Sequence, residues 1–146
     1  MKKILLISLV LLCTVLIAQE EKLPDAVEEN FNENYPTSKL DDWRYENGMY
    51  VIDFSVKSDA YTAIYDEDGI WIETAEIISD FDIPEQLQDY LADKYPDGKI
   101  TDNELVENSD QVNFYRVNIY NDNMLIEVTC NIDGTDIKEF VDEPEE

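Results

Sequence analysis

The chain carries one pattern twice. Leu23-Pro24, Tyr35-Pro36, the run Tyr50-Val51-Ile52-Asp53-Phe54 and Asp68-Gly69 follow one another in the first half. Ile83-Pro84, Tyr95-Pro96, the run Tyr115-Arg116-Val117-Asn118-Ile119 and Asp133-Gly134 follow in the second. The first two marks recur at a spacing of 60 residues and the last two at 65. A duplicated unit restricts the fold more than any composition does, because both copies must satisfy one local architecture.

Within the first unit, Pro24 suits the first turn of a helix, where a missing N–H costs nothing. Leu23, Val27 and Phe31 recur every four residues and Tyr35 extends the series, with Glu28, Glu29, Asn32 and Glu33 on the other side. That spacing predicts an amphipathic helix. Asp25, Glu28 and Glu29 complement its positive N-terminal end. Tyr35-Pro36 stops it, because a residue before proline is pushed out of helical geometry. Asn47-Gly48 is a two-residue hairpin signal that pairs Tyr45 with Tyr50 and Trp43 with Ile52. Trp43, Tyr45, Tyr50, Ile52 and Phe54 then share the side that carries the helix, and Arg44, Val51, Asp53 and Ser55 point away from it. Asp68-Gly69 predicts a second hairpin, pairing Tyr65 with Ile72 and Asp66 with Trp71. That register puts Tyr61, Ala63, Tyr65, Ile70 and Ile72 on the core side. It puts Thr62, Ile64, Asp66, Trp71 and Glu73 on the outer side.

The second unit repeats this plan. Leu87, Tyr90 and Leu91 form the helix stripe, and Tyr95-Pro96 ends it. Ile100 stands where Leu40 stood. The first hairpin is five residues longer, with Glu107-Asn108-Ser109-Asp110 in place of the tight turn, and loop tips tolerate such insertions best. Tyr115, Val117, Ile119, Ile126, Val128, Cys130 and Ile137 face the core. Arg116, Asn118, Tyr120, Leu125, Glu127, Thr129 and Asp136 face outward. The expected fold is α+β: a tandem repeat of one helix packed on a four-stranded antiparallel sheet. The two sheets are expected to combine into eight strands with the helices on one face. The first repeat spans 19–80, the second 81–141, and 142–146 form an acidic tail.

Residues 1–18 stand outside this plan. Lys2 and Lys3 precede an apolar run from Ile4 to Ile17, and Ala18 offers a small residue before Gln19. This is the layout of a secretory signal peptide, with an uncleaved anchor as the alternative. Its loss removes two lysines and takes the net charge from −25 to −27. Such charge opposes binding to nucleic acid or anionic lipid and favours a solvated surface. Of the two cysteines only Cys130 lies beyond the leader. No intramolecular disulfide can form in the exported chain, and its place in the Ile126, Val128, Cys130 alternation predicts a buried thiol.

The composition also excludes chemistry. There is no histidine, which removes Ser–His and Cys–His arrangements and the commonest zinc ligand. No glycine-rich phosphate loop is present. Asp66-Glu67-Asp68-Gly69 and Asn131-Ile132-Asp133-Gly134 fail as EF-hand loops, since Ile64 and Phe140 occupy ligand places. Both read as hairpin turns. Neither a catalytic residue, a metal nor a cofactor is expected.

With these marks in their order, the chain resembles the PepSY-like family of exported bacterial proteins. That family is similar in architecture to the β-lactamase-inhibitory protein. The resemblance covers nearly all of 23–140, twice. It implies a periplasmic or secreted protein without catalytic residues; in the inhibitor the exposed sheet face and hairpin loops grip a partner protein, but its target-binding motifs are not matched in this chain.

The function expected is that of an exported non-enzymatic binding module, an inhibitor or regulator of another envelope protein. Its outer face would use Arg44, Ile64, Trp71, Arg116 and Tyr120, because arginine and aromatic clusters dominate interface energetics. The alternative is an acidic envelope protein binding cations or small ligands. A hydrolase built on paired carboxylates is the least favoured reading.

Overall fold

The computed structural model describes residues 22–142. The expected signal peptide at 1–18 and the tail residues 143–146 lie outside the described residues. The order is α1 (Asp25–Asn34), β1 (Lys39–Glu46), β2 (Met49–Val56), β3 (Asp59–Asp66), β4 (Trp71–Ile77), α2 (Glu85–Lys94), β5 (Lys99–Asn108), β6 (Asn113–Asn121), β7 (Met124–Asn131) and β8 (Lys138–Asp142). The eight strands form one antiparallel sheet in chain order. The two halves are therefore joined edge to edge, through pairing of β4 with β5.

Both helices have ten residues and neither has a side-chain cap. A helix this short is marginal in water, so its stability has to come from packing. Val27 and Phe31 are buried in α1, and Leu87 and Leu91 in α2. Each such side chain contributes about 1.5–3 kcal/mol when fully buried. The first cluster joins Val27 and Phe31 to Ile52, Phe54, Ala63 and Tyr65. The second joins Leu87 and Leu91 to Val117, Ile119, Ile126, Val128 and Cys130. Burial pushes the Cys130 thiol up to about 11, so at neutral pH it stays protonated and unreactive.

The repeated marks have repeated jobs. Tyr35 and Tyr95 end their helices with nearly identical backbone angles, and each still donates its N–H to the residue four back, at 2.8 Å. Gly69 and Gly134 sit at φ +80° and +79°, where glycine alone is unstrained. Each turn also tucks against its helix. A Cβ on Gly69 would lie 2.8 Å from the Ala26 backbone, and one on Gly134 2.7 Å from the Gln86 side chain. Asn30 fastens the first turn by donating to the Gly69 carbonyl at 2.8 Å.

Other contacts have diverged between the halves. Tyr35 hydrogen-bonds Thr74, while Tyr95 donates to Glu139 at 2.6 Å. Glu139 also receives Tyr90 at 2.7 Å and pairs with Lys94. Burial alone would raise the Glu139 carboxyl, but bonds from Lys94, Tyr95 and Tyr90 outweigh it and hold it below its ordinary range.

The first hairpin has the expected register, Tyr45 with Tyr50 and Trp43 with Ile52. The Asp68-Gly69 hairpin differs. The Asp66 N–H donates to the Ile70 carbonyl, the Asp66 carbonyl accepts the Gly69 N–H, and the Asp66 carboxylate accepts the N–H groups of Asp68 and Ile70. The loop is therefore three residues long, and Tyr65 pairs with Trp71 rather than Ile72. A bulge at Ile72 restores the expected register, so Ile64 still opposes Glu73. As a result Trp71 lies on the helix side, packed on the first cluster with its indole N–H on Thr74 at 2.8 Å. Its expected outer position is corrected. Ile70, expected in the core, is 59% exposed.

Two stability measurements follow. Gly69→Ala should cost about 2 kcal/mol or more in urea unfolding, through left-handed backbone strain plus the collision with α1. Gly48→Ala, at the same φ but with open space around it, should cost only about 1 kcal/mol. Because its folded pKa is depressed, Glu139 contributes stability present above its unfolded pKa, near 4.3, and lost as pH falls through the folded value. Melting temperatures of the wild type should therefore fall more steeply below about pH 4.3 than those of Glu139→Gln.

Candidate functional site

Alternation along the strands gives the sheet a second face with no helix on it. Arg44, Val51, Ile64 and Glu73 form one row across β1 to β4. Asp53, Thr62, Ala75, Val106 and Phe114 form the next, across β2 to β6. A third row runs Ile77, Glu104, Arg116, Thr129 and Lys138. Full solvation of this face was expected, but its centre is dry. Val51 is 5% exposed, Ala75 2% and Val106 0%. Both helices pack on the opposite face.

Arg116, Arg44 and Lys138 on this face are already paired with carboxylates. Arg116 Nε donates to Glu104 at 2.6 Å and Nη2 to Glu73 at 2.7 Å. The side chains of all three are at most 16% exposed. Burial would lower the guanidinium pKa, but attraction to Glu104 and Glu73 raises it instead, and the charge is permanent. The triad ties β4 of the first half to β5 and β6 of the second. Arg44 spans Asp53 at 2.7 Å and Glu46 at 3.3 Å at the exposed edge. Lys138 pairs with Asp136 at 2.7 Å.

Beside Arg116 lies a cleft of about 400 Å³, walled by Val112, Phe114, Glu127, Thr129, Lys138 and Phe140. Val112 and Phe140 are exposed at its rim. Tyr120 and Leu125 pair across β6 and β7 towards one end of the face, also exposed. Among the described residues no group of three or more acidic or cysteine side chains is arranged to hold a metal ion. None of their helices is long and apolar enough to cross a membrane.

A match to the family described as beta-lactamase-inhibitor-like, PepSY-like, covers residues 15–62 and 49–135. The chain belongs to the PepSY-like family. Solved structures share the fold of this PepSY-like chain. A DUF2874 family protein of Bacteroides ovatus is 15% identical with a TM-score of 0.64, covering 82% of this chain and 89% of its own. A Bacteroides eggerthii protein described as periplasmic is 17% identical with a TM-score of 0.64, covering 82% and 90%. A BLIP-like protein of Bacteroides fragilis is 15% identical with a TM-score of 0.61, covering 86% and 93%. None of the curated proteins matches the chain significantly.

Of the five residues singled out in the PepSY-like sequence, Arg44, Ile64, Arg116 and Tyr120 stand on the helix-free face and Trp71 does not. They are not one cluster. Ile64 adjoins Glu73 and hence the Arg116 triad, Arg44 lies beyond Val51, and Tyr120 is a full strand-half away. Arg116 is committed to its carboxylates rather than offered to solvent. Sequence reasoning missed Phe114 and Phe140, although the alternations Phe114, Arg116, Asn118, Tyr120 and Lys138, Phe140 carry the signal. Arg116→Met should cost about 3 kcal/mol, because it strands two carboxylates in a mostly dry setting. Arg44→Met, which breaks exposed pairs, should cost less than about 1 kcal/mol. Urea unfolding of both variants checks the contrast.

Proposed function

We propose that this PepSY-like chain is an exported, non-enzymatic protein-binding module that grips its partner on the helix-free face of the sheet. The observation that carries the reading is the cleft beside Arg116, with exposed Val112 and Phe140 at its rim and every nearby cation held by a carboxylate. A floor locked in this way is preorganised, which lowers the ordering cost of binding. Exposed aromatic and aliphatic groups supply the area that interface anchors need. Ile64, beside Glu73, and the more distant Arg44 and Tyr120 on the same face would set the partner's orientation. The net charge of −25 favours a partner with a cationic surface around an apolar patch. The leader at 1–18 supports a periplasmic or secreted location.

Affinity capture from an envelope extract tests the reading. The wild type should retain a partner that Phe140→Glu loses and Tyr45→Ala keeps, since Tyr45 is exposed on the opposite face. Equal retention by Phe140→Glu would end it.

A further inference from the structure

A second cleft lies on the helix side of the sheet, at the seam between the halves, and measures about 320 Å³. Tyr35, Phe54 and Tyr61 of the first half give it an aromatic wall, and Glu76 of β4 and Glu107 of β5 line it with them. The rings pack on one another, Tyr35 on Phe54 at 4.6 Å between centroids and Phe54 on Tyr61 at 5.4 Å. Strand pairing brings the carboxylates together. Thr74 opposes Glu107 and Glu76 opposes Leu105, so the two glutamates are diagonal neighbours on one face. Diagonal neighbours are within reach of long side chains, and like charges so placed repel. No lysine or arginine walls the cleft, and neither glutamate has an ion-pair partner among the described residues. Their charge is felt by the rings. Burial first, and then Glu107, holds the Tyr35 phenol above its ordinary value; burial and then Glu76 do the same to Tyr61.

The second half shows what completes such an arrangement. Tyr95 ends α2 as Tyr35 ends α1, and it too meets a carboxylate, that of Glu139. There the chain supplies its own ammonium. Lys94 Nζ pairs with Glu139 and lies 5.4 Å from the centre of the Tyr90 ring and 5.6 Å from that of Tyr95. Asn34 holds the corresponding place in α1. At the seam the rings and the carboxylates are present and the ammonium is missing.

We propose that the seam cleft takes a lysine side chain of a partner protein, with its ammonium between Glu76 and Glu107 and its stem on the rings of Phe54 and Tyr61. An ammonium has three donors, enough for both carboxylates at once. Aromatic faces attract a cation held within about 6 Å of them. At about 30 Å³ per water-sized group, the cleft has room for roughly ten non-hydrogen atoms, close to the size of one lysine residue. The acidic chain draws a basic partner towards it. The site stands on the opposite side of the sheet from the cleft beside Arg116 and does not depend on it.

Titration of the protein with Nα-acetyl-lysine methylamide, with its Nζ-acetylated form and with n-pentylamine, followed by amide NMR at low salt, tests this. The lysine compound should give saturable shifts at Phe54, Tyr61, Glu76 and Glu107, and the Nζ-acetylated form, which has lost the charge, should give none. Changing Glu76→Gln and Glu107→Gln together should weaken the lysine compound at least about tenfold. Changing Asp89→Asn and Asp93→Asn together, an equal loss of charge at exposed positions of α2, should leave its affinity in place. No saturable shift, an equal response to the Nζ-acetylated form, or equal weakening in the two double variants would overturn the assignment. A response to n-pentylamine alone would make the cleft a site for free amines and overturn it as well.

Discussion

A ten-residue helix without a cap does not hold itself together in water. In this chain each helix persists because two apolar side chains reach the sheet beneath it, Val27 and Phe31 in one half and Leu87 and Leu91 in the other. The sheet depends on them in return. Its central strands put Ile52, Phe54, Val117 and Val128 on that side, and without the helices those residues would face solvent. The Asp-Gly turns set where each helix docks. A glycine permits both the backbone angle and the close approach, so one residue type does two jobs at one point.

The two copies share this frame and differ in what surrounds it. Thr74 in the first half has become Glu139 in the second, and its surroundings changed with it. Tyr90 and Lys94 replace Asn30 and Asn34, and they deliver to the carboxylate the hydrogen bonds that make its burial tolerable. Replacing a hydroxyl by a charge on the covered side of a sheet demands such company. The exchange of Trp43 for Asn103 is the opposite case, since bulk was removed and one of the new polar atoms was left unmatched.

Much of this could be read from the residues. The helix limits, the Asn47-Gly48 hairpin and the strand count follow from proline, turn chemistry and alternation. The single joined sheet was the expected product of the duplication. The Asp68-Gly69 hairpin was misread by one residue because a dipeptide does not declare its loop length. Asp66 caps a three-residue loop, and that decides the side on which Trp71 falls. Alternation also could not reveal the dry centre of the helix-free face. Period two says which way Val51 and Val106 point, and their burial depends on neighbours contributed by other strands. The commitment of Arg116 to Glu73 and Glu104 escaped for a related reason, since Glu73 lies 43 residues away in the other repeat.

That last contact bears on the chain as a duplicated object. Glu73 belongs to the first copy, while Arg116 and Glu104 belong to the second. Pulling the halves apart would expose the cut edges of β4 and β5 and also separate a carboxylate from its cation. The ancestral unit could not have contained this triad, which arises only where two copies meet. Duplication thus created a seam with chemistry of its own, and the seam makes one cooperative body out of what could have remained two beads on a string.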